Sequence, residues 1–385
     1  MQTSPSPDDG EYQKFITPSK RERGNPTTVT GPSNEANLLR ASFAMLVVSI
    51  LLLGLDLTTL RQQTRRAPRE KAMPNQLPDA NATTTTSSNR TLLVILGSLR
   101  GGELAWSTLY DNVLDPNQAD LALMIGRVPT DRKASSMYQR AKYVWEFDEY
   151  DNWADAMDLI NGSEWRSSLA KFLPSKSHLL GGMELPNTTS VGSGAIIFMI
   201  RWFLSNEIRR NDLTSRYDRF VLTRADHYYL CVHNLSLLSQ NDLWIPDGED
   251  YGGITDRHLV VSSRDVLNAL NILPGLLKNP GLYEQCISEK HCNAETLIKK
   301  RWEAMGLVSK VRRFPRMMFT CATEGDTTRW KKMSTEIVPE GVHLKYKSEY
   351  YESHENCLMP VDMPVHHHHK AKKGATIYFC QCYRV

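Results

Sequence analysis

Along residues 91–223 a short apolar run, a polar break and a stretch with helical spacing follow one another. Residues 91–96 (TLLVIL) end at Gly97 and read as a strand buried on both faces. A helix is expected over about 103–113. Residues 120–125 (DLALMI) and 143–147 read as two more strands. Residues 195–204 (AIIFMIRWFL) are apolar almost all round yet too short to cross a bilayer, so a buried helix running on to about Arg210 is expected. Residues 217–223 (YDRFVLT) give a further strand. Strands alternating with helices predict an α/β domain with a largely parallel sheet, placed at 91–360.

The stretch before it reads differently. Residues 1–40 are polar, rich in Pro, Ser and charge, and predict a disordered cytosolic tail. Residues 41–60 contain ASFAMLVVSILLLGL and, taken whole, reach the roughly 20 residues a spanning helix needs. A cleaved signal peptide is the rival, weakened by the long leader. Residues 61–90 close on NATTTTSSN and predict a flexible stem. Basic residues flank the span on both sides, so positive charge does not orient it. Five glycosylation sequons, at Asn81, Asn89, Asn161, Asn187 and Asn234, all follow the span. Their one-sided placement predicts a single-pass type II protein with a luminal domain in the Golgi or endoplasmic reticulum membrane. Residues 361–385 form a tail with four consecutive histidines, from His366 to His369, read as solvated rather than metal-binding.

Composition narrows the field. The net charge of +3 comes from 46 basic and 43 acidic residues, with no basic stripe for nucleic acid. The seven cysteines are all at or beyond Cys231. They lack zinc-module spacing, and Cys286 and Cys292 are close enough to close a small disulfide loop in an oxidising lumen.

Ligands of an open α/β sheet bind beyond the carboxyl ends of its strands, which selects two loops. Gly97, Arg100, Gly101 and Gly102 follow the first strand. Glycines there let a nucleotide reach backbone N–H groups, and Arg100 offers a charge for phosphate. The segment matches neither a Walker loop nor GxGxxG. Arg224 and Asp226 follow the 217–223 strand, where an Asp can hold a divalent cation bridging a diphosphate. A third segment, residues 244–257 (WIPDGEDYGGITDR), packs four carboxylates, three glycines and two aromatics into 14 residues. Its Glu249, Asp250, Tyr251, Gly252 and Gly253 are candidate sugar contacts, and its carboxylates candidate proton acceptors.

The order of these segments, with YDRFVLTRADHYYL followed by IPDGEDYGGITDRHLV, resembles GT-A-fold glycosyltransferases, especially type II membrane proteins of eukaryotes and bacterial surface-polysaccharide transferases. The resemblance covers about residues 90–360. It implies a Rossmann-like catalytic domain, a nucleotide-sugar donor, a glycan acceptor and an Mn²⁺ or Mg²⁺ ion. The family's Asp-x-Asp element stands here as Arg224-Ala225-Asp226, so its first acid is a base. The resemblance further implies Asp256 as general base of an inverting displacement, and His354, with His343 nearby, completing a metal site with Asp226. A Golgi sulfotransferase and a non-catalytic carbohydrate-binding protein are the rival expectations.

Overall fold

The 91–96 run becomes β1 (Thr91–Gly97), and its side chains explain why it reads as unbroken apolar sequence. Leu92 and Val94 enter one core while Leu93 and Ile95 enter another, so the strand has no wet face. The structure, a computed structural model, describes residues 90–288, 292–326 and 336–358, all within the unit formed by residues 85–385. The expected cytosolic tail, membrane span, stem and histidine-containing tail lie outside the described residues. Among those described, no helix is long and apolar enough to cross a membrane.

After β1 come α1 (Gly102–Leu109), β2 (Asp120–Gly126), β3 (Ala141–Phe147) and the long α2 (Gly194–Arg210). Then follow β4 (Arg219–Thr223), β5 (His227–Tyr229), β6 (Leu243–Pro246) and β7 (Leu259–Ser262). The chain continues through α3 (Ala294–Ala304), β8 (Val311–Phe314), β9 (Met318–Ala322), β10 (His343–Leu344) and α4 (Lys347–Leu358). Seven strands form one sheet in the order β8-β6-β7-β4-β1-β2-β3. Strands β4, β1, β2 and β3 run parallel, β8 is parallel to β6, and β7 alone is antiparallel to both neighbours. The expected α/β class with a mostly parallel sheet is therefore present. A second, antiparallel sheet has the order β10-β9-β5.

Helix α2 starts and ends where its apolar run predicts, and packs Phe198, Met199 and Leu204 into one core. Its surprise is Arg201, which is buried within that face. Two disulfides fasten the periphery. Cys286–Cys292 closes the expected small loop, and Cys231–Cys357 ties the segment after β5 to α4. Cys321 is buried and has no disulfide partner among the described residues. Asn161, Asn187 and Asn234, the sequon asparagines among the described residues, are all exposed.

Candidate functional site

Strands β1 and β4 are parallel neighbours, with Ile95 opposite Thr223. Their carboxyl ends therefore deliver the glycine turn and the 224–226 segment side by side. The approach is very close. A Cβ at Gly101 would lie 2.9 Å from the Ala225 carbonyl oxygen and 3.0 Å from the Asp226 α-carbon, and Gly101 has φ +89°, so only glycine suits both demands. Gly97 and Gly102 also have positive φ within the same turn.

Asp226 is only 2 % exposed. Arg224 grips it with two parallel bonds, Nε to Oδ1 at 2.7 Å and Nη2 to Oδ2 at 2.6 Å, and Arg100 Nη2 lies 3.1 Å from Oδ2. Burial alone would push the Asp226 carboxyl up, but Arg224 and then Arg100 outweigh it and hold it well below the ordinary carboxylate range. Two fixed guanidiniums around one carboxylate leave a net positive charge. Lys345, buried beside β10, adds to it; burial and then the Arg224 charge push its ammonium down to about 7. An anion already finds a seat here. The Asp326 carboxylate accepts from the Gly101 N–H at 2.9 Å and from the Thr323 N–H at 2.8 Å.

The acidic segment joins the same field, because Arg257 and Asp256 both act electrostatically on Arg224. It is not a loose acidic surface loop. Ile254, Thr255 and Arg257 are buried. Arg257 pairs with Glu349 of α4, which is itself fully buried, and lies 3.7 Å from Glu249. Burial works against the Arg257 charge, but Glu349 leads the groups that raise its pKa above the usual arginine value. Tyr251 is half exposed, bonds Glu249 and lies 5.8 Å beneath the Arg257 guanidinium. Asp250 is structural in this arrangement: it accepts from Thr255 N–H at 3.2 Å and pairs with Arg313 at 2.6 Å. Gly252 takes φ +84°, while Gly253 is pressed against α3, where a Cβ would come within 2.0 Å of the Glu295 carbonyl. Asp256 shares its surroundings with Glu295, whose carboxyl is pushed up to about 8, first by burial and then by Asp256.

The two expected metal ligands, Asp226 and His354, each have protein partners in this arrangement. His354 Nε2 faces Glu340 at 2.8 Å and Nδ1 faces the Tyr350 carbonyl at 2.9 Å. Both Asp226 oxygens are engaged by guanidiniums, the opposite of what a cation requires. Among the described residues no group of three His, Cys, Asp or Glu side chains could hold a metal ion. The donor set does not fit a divalent cation.

None of Lys345, Arg257, Glu295, Glu349 and Arg201 is given a site role by the sequence. All but Arg257 come from distant segments, and no local motif marks them. Arg257 stands inside the 244–257 segment, where its positive sign beside four acids was the available signal. Neither a protein-family model nor a curated protein matches this chain.

Proposed function

We propose that the chain is a nucleotide-sugar-dependent glycosyltransferase of the GT-A type, working through a cationic cluster in place of a metal ion. One observation carries the reading. The glycine turn, the Arg224–Asp226 pair and the Asp256 segment converge at the carboxyl ends of adjacent parallel strands, with Asp226 clasped by Arg100 and Arg224. Glycosyl transfer makes two demands: stabilising charge on a departing diphosphate and removing a proton from the attacking hydroxyl. Arg100, Arg224 and Lys345 meet the first. Asp226 orders two of these cations and keeps the cluster from repelling itself apart. Asp256 meets the second.

In this reading the acceptor oxygen attacks the anomeric carbon as the bond from that carbon to the diphosphate oxygen breaks. The electron pair of that bond leaves on the diphosphate, facing the guanidiniums. The hydroxyl proton passes to the Asp256 carboxylate. Attack opposite the leaving group inverts the anomeric centre. Tyr251, half exposed beside Glu249, offers an aromatic face for a sugar ring. The exposed sequon asparagines and the two disulfides support a luminal domain of a type II protein in the Golgi or endoplasmic reticulum membrane.

The test is a thermal-shift panel of UDP- and GDP-sugars on the full-length protein in detergent, with and without Mn²⁺, beside a sulfate donor. A nucleotide-sugar that stabilises the fold without Mn²⁺, and is turned over, is expected. Asp256→Asn then lowers kcat by about 10²–10⁴-fold while donor binding persists. Stabilisation by the sulfate donor alone overturns the reading in favour of a sulfotransferase. Binding of glycans with no turnover of any donor overturns it in favour of a carbohydrate-binding protein.

A further inference from the structure

Two carboxylates stand at the cationic cluster, and they are held in different ways. Asp226 is buried and clasped by Arg100 and Arg224. Asp326 is partly exposed, and its Oδ2 accepts both the Gly101 N–H at 2.9 Å and the Thr323 N–H at 2.8 Å. Among the described residues that carboxylate makes no other hydrogen bond and no ion pair. Gly101 directly precedes α1 and Thr323 directly follows β9, so the seat joins two segments far apart in the chain. They are pressed together: a Cβ at Gly102 would lie 2.7 Å from the Thr323 methyl group. The other wall of the glycine turn is Asp226 itself, whose carbonyl accepts the Cys321 N–H at 2.9 Å. Lys345 completes the picture. It is only 8 % exposed, and its ammonium has no hydrogen bond or ion pair among the described residues, while Arg224, Asp226 and Arg100 all act on it. A buried ammonium without a counterion of its own is costly, and an arriving anion relieves that cost.

We propose that the Gly101 and Thr323 N–H groups seat one phosphoryl group of a diphosphate, and that Asp326 fills this seat as a built-in competitor which the ligand displaces. The donor as source of that diphosphate rests on the transferase reading; the seat and its occupant do not. Paired backbone N–H groups before a helix suit any oxyanion, and a carboxylate is the side chain that imitates one. The Asp326 group is short, however. It satisfies the two N–H groups and leaves Lys345 without a counterion. A diphosphate has two phosphoryl groups, so one takes the N–H pair while the other meets Lys345 and the guanidiniums. No covalent bond changes in this exchange. Asp226 cannot leave in the same way, because two guanidiniums hold it in a buried place. The cluster therefore has one permanent counterion and one exchangeable one. Apparent affinity for the ligand falls with the fraction of molecules in which Asp326 is seated.

Isothermal titration of the full-length protein in detergent with pyrophosphate tests the seat without any sugar or turnover. Asp326→Ala is expected to bind pyrophosphate about tenfold more tightly than the wild type, and Asp326→Asn about threefold more tightly. Glu324→Gln removes an exposed charge from the same turn and controls for general electrostatics; it stays within about twofold of the wild type. Weaker or unchanged binding in Asp326→Ala, or a gain no greater than that of Glu324→Gln, overturns the competitor role. Where Asp326→Ala does not fold, Asp326→Asn, which keeps a side-chain oxygen for the two N–H groups, decides by the same comparison. Absence of pyrophosphate binding in every protein overturns the seat itself. Tighter pyrophosphate binding in Asp326→Ala, in a protein that turns over no nucleotide-sugar, overturns the transferase reading and leaves the seat standing.

Discussion

Asp226 and Glu295 are both largely buried carboxyl groups near one site, and their neighbours drive them in opposite directions. Asp226 sits between two guanidiniums and stays ionised far into acid. Glu295 is pushed up to about 8 by burial and then by the charge of Asp256. Burial opposes charge on both. What differs is the sign of the nearest partner, so a carboxyl group's role is written in its surroundings rather than in its residue type.

The sharpest way to break this contrast is to remove Asp226. Asp226→Ala leaves Arg224, whose side chain is 22 % exposed, without its carboxylate, which is expected to cost about 3 kcal/mol of unfolding free energy in urea. A cost below about 1 kcal/mol would show that the arginines turn outward and that the cluster is not fixed. The wild-type share of this stability belongs to a depressed folded pKa, so it is present above the ordinary Asp value and lost only as the pH falls well below it.

Glu295 carries the opposite pH sign. Its folded pKa lies above its unfolded value near 4.3, so its contribution is fully present below that value and fades as pH rises towards 8, by up to about 1.4 kcal/mol per pH unit. Glu295→Gln is therefore expected to gain on the wild type by roughly 2–3 kcal/mol between pH 6 and 8 in paired denaturant titrations. A constant difference across that window removes the contrast with Asp226.

Gly253→Ala tests the contact that joins Glu295 to the loop. A methyl group there meets α3 backbone, and a loss of about 1–3 kcal/mol is expected from the thermal midpoint, together with a fall in the Glu295 pKa. The smallest effect is at Lys345. Because its ammonium titrates at about 7, Lys345→Met weakens pyrophosphate binding about tenfold below pH 7, near 1.4 kcal/mol, and little above pH 8. Isothermal titration at pH 6 and pH 8.5 separates the two cases.

The residues that sequence reading placed well are those with strong local patterns. Strands β1 and β2, helix α2 and the 286–292 loop each carry their signal within a few neighbours: an unbroken apolar run, a helical length, two close cysteines. Strand β3 was legible for the same reason, although it begins two residues earlier than its pattern, at Ala141. A histidine in a polar helix carries no local mark of its partner, and for His354 the structure supplies Glu340. Composition singles out the acidic segment, but it cannot say that Asp250 turns to Arg313 while Asp256 acts on Glu295.

By itself, then, the chain's apolar rhythm determined an α/β core, because burial of alternate side chains on both faces of a strand depends on order along the chain. The glycines and acids marked which loops are special for similar reasons of local sterics and charge. Only the tertiary structure decided that Asp226 answers to two arginines and Glu295 to another acid. Electrostatic energy depends on distances of a few ångströms between segments far apart in the chain, such as those that carry Arg100, Asp226 and Lys345, and no local pattern encodes those distances.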